Sequence, residues 1–511
     1  MKLRTLAAAL ACTLSCRMGP NFHRPDPPPV ARYTHGGVRR TITADGVAQV
    51  VRPGAQLAAT WWSLFGSRPL DRLVRLALAN NQDLATARAN LRRSEWNLRA
   101  GAGLFLPQID VSAGAARLRQ NFAQFGTGTS GTSGTSGTSG TSGSGTSGGS
   151  ALPGATGARE FSLYTANGNI SYTLDVWGGN RRRLEALRAQ VDVQYFSLAA
   201  AHLAVTGNVV STAIARAGYA EQIRVTEELL ADLRDQVGLA QVQARAGTVA
   251  YSTVLALETQ VANTAATLPP LRQQLAAADA LLASLLGYAP AQWRPVEIAL
   301  ADLTLPRELP VTLPAQLVRQ RPDVLIAEAT LHVSSANIGV ATAAMLPTFT
   351  LNGSPGFQST NLGNLLTFGN FVWSFGGNLL APIFHGGALN AQRWAAVEDF
   401  RGSLAHYRQT VLSALQDVAT MLEAVVHDAE GVEATNRAVD VANETRKLVQ
   451  INYENGLATY LDVIVANQQY REAMISQVAA RVRRLQDTVA LFIALGGGWW
   501  QDGAATPACA R

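Results

Sequence analysis

Four segments of the chain alternate between apolar and polar or small residues with a period of two. Such alternation over about ten residues predicts strands with one apolar and one polar face, which suits a transmembrane β-barrel. The predicted strands span about 108–119, 161–176, 347–358 and 368–384. The apolar side of these segments carries Ile109, Val111, Ala113, Tyr164, Ala166, Ile170, Tyr172, Leu174, Phe349, Leu351, Phe371, Trp373 and Phe375.

Between the strands the pattern is helical. An Ala- and Leu-rich run over 70–104 predicts a helix that Pro107 ends. Residues 180–246 and 389–455 form two runs of 67 residues with few helix breakers, each about 100 Å long at about 1.5 Å per residue. In the second run, apolar residues step by 4, 3, 4 and 3, which predicts coiled-coil-like packing. These heptad residues are Val411, Leu415, Val418, Leu422 and Val425.

Each long helix is expected to end at a glycine, Gly247 or Gly456, where the chain turns back into a further helix. The return helix of the first half is interrupted at Pro269-Pro270, whereas that of the second half carries no proline. Residues 288–318 contain five prolines and predict a linker between the halves.

The two halves are copies of one unit. Residues 81–110 align without a gap onto 321–350 with 8 identities in 30, against roughly two or three expected by chance. The sequence therefore predicts a first repeat over 61–287 and a second over 319–498. The first copy carries an insert of Thr, Ser and Gly at 126–150, and this composition is typical of a flexible loop.

The N-terminus predicts export and lipid attachment. Residues 1–15 combine a basic start with a short apolar core, as in a signal peptide. Leu14-Ser15-Cys16 resembles the lipobox of bacterial lipoproteins, with Thr13 where a leucine is usual; an ordinary secretory signal is the alternative. The mature chain then begins with an extended arm over 16–60, rich in Pro and Gly, and ends with a tail over 499–511.

Composition narrows the classes of function. Only 15% of the 511 residues are charged, the mean hydropathy is +0.07, and the absence of about 18 uninterrupted apolar residues argues against a transmembrane helix. The net charge of +6 is spread along the chain, which does not favour nucleic-acid binding. The seven histidines show no metal-ligand spacing and no phosphate-binding glycine motif occurs, so we expect no enzyme activity, cofactor or metal. Beyond the signal, Cys16 and Cys509 are the remaining cysteines, too few for an internal disulfide framework.

Four strands cannot close a barrel wide enough for transport. Because an unpaired backbone group costs several kcal/mol in hydrocarbon, open sheet edges are not tolerated there. The chain is therefore expected to oligomerise, and a trimer with twelve strands is the economical solution, although the sequence alone does not fix the number.

Motifs occur along nearly the whole mature chain, at 16–25, 60–91, 174–187, 321–356, 381–387, 453–469 and 494–499. Together they resemble the NodT-type, TolC-like outer-membrane lipoproteins of tripartite efflux pumps. The resemblance implies a mixed fold: a homotrimer with a twelve-stranded barrel in the outer membrane, a twelve-helix periplasmic barrel and an extracellular 126–150 loop. It also implies a periplasmic adaptor and an inner-membrane resistance-nodulation-division pump as partners, with contact to outer-membrane lipid and acylation of Cys16.

The resemblance places a periplasmic gate just after the second helix reversal. Leu461 matches the position of a constricting leucine, Asp462 matches an acidic ring position, and Val465 stands where relatives often carry a second aspartate. A structural role for Asp462 in the first turn of a helix is the alternative.

The two helix reversals themselves are the expected adaptor contacts. They are Gly247-Thr248 in the first copy and Gly456-Leu457 in the second. The glycines also have a structural explanation, because a helix reversal commonly needs a left-handed residue.

A run of three arginines, Arg181-Arg182-Arg183, stands at a predicted helix start. Such a run is more typical of a solvated face than of a ligand site.

A type I protein-secretion exit duct uses the same fold and is the nearest alternative function. A periplasmic coiled-coil structural protein is the more distant one, which the alternating strands disfavour.

Overall fold

The computed structural model describes residues 17–34, 36, 41–44, 46–121 and 158–501. The signal peptide, Cys16, the 126–150 loop and nearly all of the C-terminal tail lie outside the described residues. The helices are α1 (Arg68–Asn80), α2 (Gln82–Ala102), α3 (Gly179–Arg245), α4 (Tyr251–Ala265), α5 (Leu268–Leu285), α6 (Pro314–Leu317), α7 (Pro322–Ala343), α8 (Ala388–Glu454) and α9 (Tyr460–Ala494). The strands are β1 (Thr41–Ala44), β2 (Val47–Pro53), β3 (Gln108–Asn121), β4 (Ala158–Leu174), β5 (Glu308–Val311), β6 (Thr348–Ser359) and β7 (Phe371–Leu380).

The chain divides into two compact units. The sheet unit contains Met1–Phe22, Asn97–Leu187 and Ser334–Asp399. The helical unit contains His23–Trp96, Arg188–Val333 and Phe400–Arg511.

The sheet unit is built on four antiparallel strands in the order β3-β4-β6-β7. These are the four strands that the alternation predicts, with ends that differ by up to four residues. At β7 the strand begins three residues late, because Phe368–Asn370 forms a 3-10 turn before it, and ends four residues early. Pro382, which has no backbone N–H to donate, follows its end.

The register aligns the apolar positions of all four strands on one face, since residues paired across strands share a face. Ile109 pairs with Ile170, which pairs with Gly353, which pairs with Phe375. The opposite face is polar, and one of its rows contains Gln108, Ser171, Asn352 and Gly376. The amide of Asn169 links two strands on that face by donating to Ser112 Oγ at 3.0 Å and accepting from Ser354 Oγ at 3.3 Å.

The helical unit packs around buried aromatic and aliphatic side chains. The rings of Trp61 and Phe65 meet that of Phe492 edge-on at 5.8 and 6.3 Å. The two longest helices, α3 and α8, have 67 residues each, as the sequence predicts. Of the five heptad residues on α8, four are buried and Leu415 is partly buried, so that face of the helix is a packing face.

A small mixed sheet in the helical unit, which the sequence does not predict, joins residues of the arm and of the linker. β1 pairs antiparallel with β2, and β2 pairs parallel with β5 from the 288–318 segment. The buried guanidinium of Arg484 donates to Ala44 O at 3.3 Å and to Gln49 Oε1 at 3.0 Å. The strands are short, and β2 and β5 lie more than 250 residues apart in the chain, so no local pattern reveals their pairing.

The helix predicted over 70–104 is interrupted. Asn81 adopts an extended conformation between α1 and α2, and its side-chain oxygen accepts from the N–H groups of Asp83 at 2.9 Å and Leu84 at 3.1 Å. Such a cap starts a new helix. The break replaces the single helix that the periodicity indicates.

Two of the described helices, α3 and α7, contain an 18-residue window apolar enough to cross a membrane. About half of each window is buried within the chain. Packing inside the protein therefore accounts for much of their apolar character, and length and composition alone indicate a membrane span only weakly.

Candidate functional site

The two long helices, α3 and α8, end in the same backbone motif at the predicted reversals. Gly247 and Gly456 have φ of 76° and 74°, the left-handed region that favours glycine. At the first turn, Thr248 N–H donates to Gln243 O at 3.0 Å, and at the second, Leu457 N–H donates to Asn452 O at 2.8 Å. These bonds are those of a Schellman motif, which satisfies the carbonyls at a helix C-terminus.

The two turns differ in their side chains. Thr248 Oγ1 donates to Gln243 O at 2.9 Å, so its hydroxyl is used within its own turn. Leu457, at the matching place in the second turn, is 79% exposed. The second turn thus presents an apolar side chain where the first presents a satisfied polar one.

The helix after the second turn begins with a capping box formed by Thr459 and Asp462. Asp462 Oδ2 accepts from the backbone N–H of Thr459 at 2.8 Å and from its hydroxyl at 2.6 Å. Hydrogen bonds from Thr459 lower the pKa of Asp462, because they stabilise the ionised carboxylate. The structural alternative for Asp462 is therefore realised, and the carboxylate is also solvent-exposed and charged at neutral pH.

Leu461 and Val465 lie one helical turn apart on the exposed side of α9, with Leu461 66% exposed. Their neighbours Val463, Ala466 and Asn467 are buried. The three predicted gate residues thus share one region of α9, with the two apolar side chains on one face and the carboxylate beside them.

Behind this face, a polar contact absent from the sequence prediction joins the two halves. Gln236 Oε1, on α3, accepts from Asn467 Nδ2 at 3.2 Å and from the hydroxyl of Tyr460 at 3.4 Å. Asn467 is only 4% exposed, and burial raises the pKa of Tyr460. Nothing in the local sequence distinguishes Gln236 from other glutamines nearby, so the sequence alone does not predict this contact.

A small apolar cluster joins α3, α4 and α9, and a cation–π contact joins α8 to α9. Ala240, Val254 and Leu257 are buried together, with Tyr460 and Ile464 packed against them. Further from the turns, the guanidinium carbon of Arg446 lies 4.7 Å from the centre of the Tyr470 ring. The ends of α3, α4, α8 and α9 are therefore tied together by several weak contacts.

The arginine run at the start of α3 does not form a uniform solvated face. Arg183 is exposed, and Arg181 lies 3.7 Å from the carboxylate of Asp175. Arg182 is 1% exposed, which contradicts the sequence expectation for this residue. Its charge is satisfied by hydrogen bonds within the sheet unit rather than by water.

A sequence profile of one known family, described as outer membrane efflux protein, matches residues 73–288 and 313–497. The two matched segments cover more than three quarters of the chain.

The chain belongs to the outer membrane efflux protein family. This outer membrane efflux protein is 28% identical over 442 residues to the pyoverdine export outer membrane protein OpmQ of Pseudomonas putida, covering 86% of this chain and 88% of OpmQ. It is 29% identical over 496 residues to nodulation protein T of Rhizobium leguminosarum bv. trifolii, covering 95% of each. The predicted resemblance is confirmed.

Solved structures share the fold. The outer-membrane channel OprN matches with a TM-score of 0.80 and 24% identity, covering 95% of this chain and 100% of that chain. The CmeC outer membrane channel of Campylobacter jejuni also matches with a TM-score of 0.80, at 20% identity, covering 94% of this chain and 95% of that chain. These matches confirm the TolC-like fold, and the family places this efflux protein in the outer membrane.

Proposed function

We propose that this chain is the exit channel of a tripartite efflux pump, conducting small molecules through the outer membrane without bond-making chemistry. One observation carries the proposal: the sheet β3-β4-β6-β7 has an apolar face, a polar face and two outer strands that each pair on one side only within the described residues. Open edges are not stable in hydrocarbon. Three copies joined edge to edge give twelve strands, with the apolar face toward lipid and the polar face toward the pore.

Membership of the outer membrane efflux protein family supports the oligomeric state and the partner proteins of the channel. The channel is a homotrimer that works with a periplasmic adaptor and an inner-membrane resistance-nodulation-division pump. Relatives named for pyoverdine export and toluene efflux support small molecules over the secreted proteins of the type I alternative. The membrane-type sheet argues against a periplasmic coiled-coil protein.

Adjacent residues on β7 test this orientation. Trp373 lies on the apolar face and is 72% exposed, whereas Ser374 lies on the polar face beside Ser354. Trp373→Arg places a charge on the lipid-facing side of the sheet, at a cost that is about 2–4 kcal/mol at the bilayer centre and smaller toward the interfaces. It is expected to reduce the amount of trimer in the outer membrane, measured by gel mobility of membrane fractions. Ser374→Arg is the matched control and is expected to assemble but to shift ion selectivity in planar bilayers toward anions. Equal assembly of the two variants would contradict the orientation.

We also propose that Leu461, Asp462 and Val465 form the periplasmic gate. The exposure of the two apolar side chains and the ionised carboxylate beside them support this role. Apolar constrictions and rings of charge are the means by which channels close and select ions. The tip turns Gly247-Thr248 and Gly456-Leu457 are proposed as adaptor contacts, and the exposed Leu457 supports this.

Two substitutions separate the charge of Asp462 from its capping role. Asp462→Asn keeps an oxygen that can accept from Thr459 but removes the charge, whereas Thr459→Ala keeps the charge and loses the side-chain cap, at about 1 kcal/mol of helix stability. In planar bilayers we expect Asp462→Asn to raise the resting conductance and reduce cation selectivity, with Asp462→Ala also raising the resting conductance. Thr459→Ala should leave selectivity unchanged. A resting state of Asp462→Asn identical to that of the unmodified channel would remove Asp462 from the gate.

A further inference from the structure

Residues 17–22, called the arm segment here, are built into the sheet unit rather than lying free of it. The backbone N–H of Met18 donates to Trp177 O at 3.1 Å. The indole N–H of Trp177 in turn donates to Pro347 O at 2.7 Å. The arm segment is therefore joined to the turn that precedes α3, and that turn is joined to the start of β6.

Arg182 holds the arm segment by its carbonyl groups. Its Nε donates to Met18 O at 3.0 Å, and its Nη2 donates to Gly19 O at 3.1 Å and Asn21 Oδ1 at 2.9 Å. Nη1 donates to Glu185 Oε2 at 2.9 Å, which balances the buried charge. A buried cation is tolerated when its donors are satisfied, and three of these four bonds go to the arm segment.

Two glycines allow the approach that this contact requires. Gly19 has φ of 87°, and a Cβ there would lie 2.5 Å from the Cα of Gly339 on α7. A Cβ on Gly339 would lie 2.8 Å from Met18 O and 2.7 Å from Cγ of Arg182. The backbones of the arm segment and α7 therefore cross at a distance that excludes side chains at both positions.

The internal repeat shows that this site is present in one copy only. Aligning the paired glycines Gly178-Gly179 and Gly386-Gly387 of the two halves makes Asn390 the counterpart of Arg182. The alignment of 81–110 with 321–350 makes Arg99 the counterpart of Gly339. The corresponding place in the other copy thus has asparagine instead of Arg182. It also has an arginine instead of Gly339, where the close approach of the two backbones requires glycine. A duplicated unit has two related places for an arm, but a chain has one N-terminus.

We propose that Arg182 and Gly339 form a socket for the arm segment, and that this socket fixes the start of the mature chain to the sheet unit independently of lipid attachment. Each copy of the repeat contributes one half of the socket. The socket contacts the arm segment through two backbone carbonyls and one side-chain amide. The occupant of the socket is therefore this chain's own N-terminal segment. Arg182 is a positioning residue.

Hydrogen exchange of the purified full-length protein, followed by mass spectrometry, tests the socket. Arg182→Gln is expected to accelerate exchange of the Met18 amide at least tenfold, with strands β4 and β6 unchanged. Arg183→Gln, which alters the exposed neighbour in the same run, is the matched control and should exchange like the unmodified protein. Unchanged protection of the arm segment in Arg182→Gln would overturn the proposal.

A second pair of variants covers a failure of Arg182→Gln to fold. Gly339→Ala keeps Arg182 but narrows the crossing, and is also expected to release the arm segment. Cys16→Ser removes the predicted lipid and should leave the protection of the arm segment as it is. If Cys16→Ser alone released the arm segment, the lipid and not the socket would hold it. These outcomes do not depend on efflux activity, so they are distinguishable from failure of the channel proposal.

Discussion

A pair of facing carboxylates in the helical unit shows how one residue can respond to pH. Asp428 on α8 is buried at Oδ2, where no donor among the described residues reaches it. Burial, with the nearby carboxylate of Asp487 as a further cause, raises the pKa of Asp428 to about 7, although Arg483 and Arg484 oppose the shift. A protonated Asp428 can donate to Asp487, so the pair is best satisfied when it shares one proton.

This pair predicts a pH dependence of stability. Because the folded-state pKa of about 7 lies above the ordinary value of 3.8, the folded protein binds the proton more tightly than the unfolded chain between these values. Its contribution to stability is therefore full at low pH and is lost as pH rises toward 7. We expect the unfolding temperature of the unmodified protein in detergent to fall between pH 5 and pH 8.

Asp428→Asn is expected to flatten that dependence and to stabilise the protein at pH 8, since the amide needs no proton to donate to Asp487. Asp440→Asn, on the same helix, is the control and should keep the original slope. An unaltered slope in Asp428→Asn would show that other groups cause the pH dependence.

At the scale of elements, each tip turn contains a glycine, Gly247 or Gly456, in the left-handed backbone conformation. Residues with a Cβ adopt this conformation with difficulty. No atom outside the neighbouring residues lies within 4 Å of a Cβ added at Gly456. Substitution there is therefore opposed by the backbone conformation alone and not by a clash. The same holds for Gly247, and the two turns can be compared directly.

Gly456→Ala is expected to destabilise the tip by about 1 kcal/mol and to weaken adaptor binding, measured by titration with the purified adaptor. Gly238→Ala is the matched control, because Gly238 lies within α3 at ordinary φ with open space around it. It should stabilise the helix by about 0.5–1 kcal/mol and leave adaptor binding unchanged. Equal adaptor affinity in both variants would remove the second turn from the contact.

At the scale of the whole molecule, the internal repeat explains both the symmetry and its exceptions. Each copy supplies two strands, one 67-residue helix and one tip turn, so three chains provide six related units around a pore. The copies differ where a single feature is needed. The socket for the arm segment uses Arg182 and Gly339, whereas the proposed gate uses Leu461 and Asp462 in the second copy only.

The sequence by itself determined the strands, the long helices and the helix reversals. Alternation of period two predicts the two faces of a strand, and heptad spacing predicts a packed helix face. Glycine at a reversal indicates a left-handed backbone conformation. These signals are local, so they survive without knowledge of the partners. The repeat added the equivalence of the halves, and the motifs indicated the family.

Only the tertiary structure decided which residues meet. Three contacts join residues from distant parts of the chain: the pairing of β2 with β5, the two hydrogen bonds that Gln236 accepts, and the facing carboxylates of Asp428 and Asp487. Arg182 and Arg183 are adjacent and chemically identical, yet one is buried against the arm segment and the other faces solvent. Burial and pairing depend on what packs against a side chain, and that is set by the fold rather than by the neighbouring sequence.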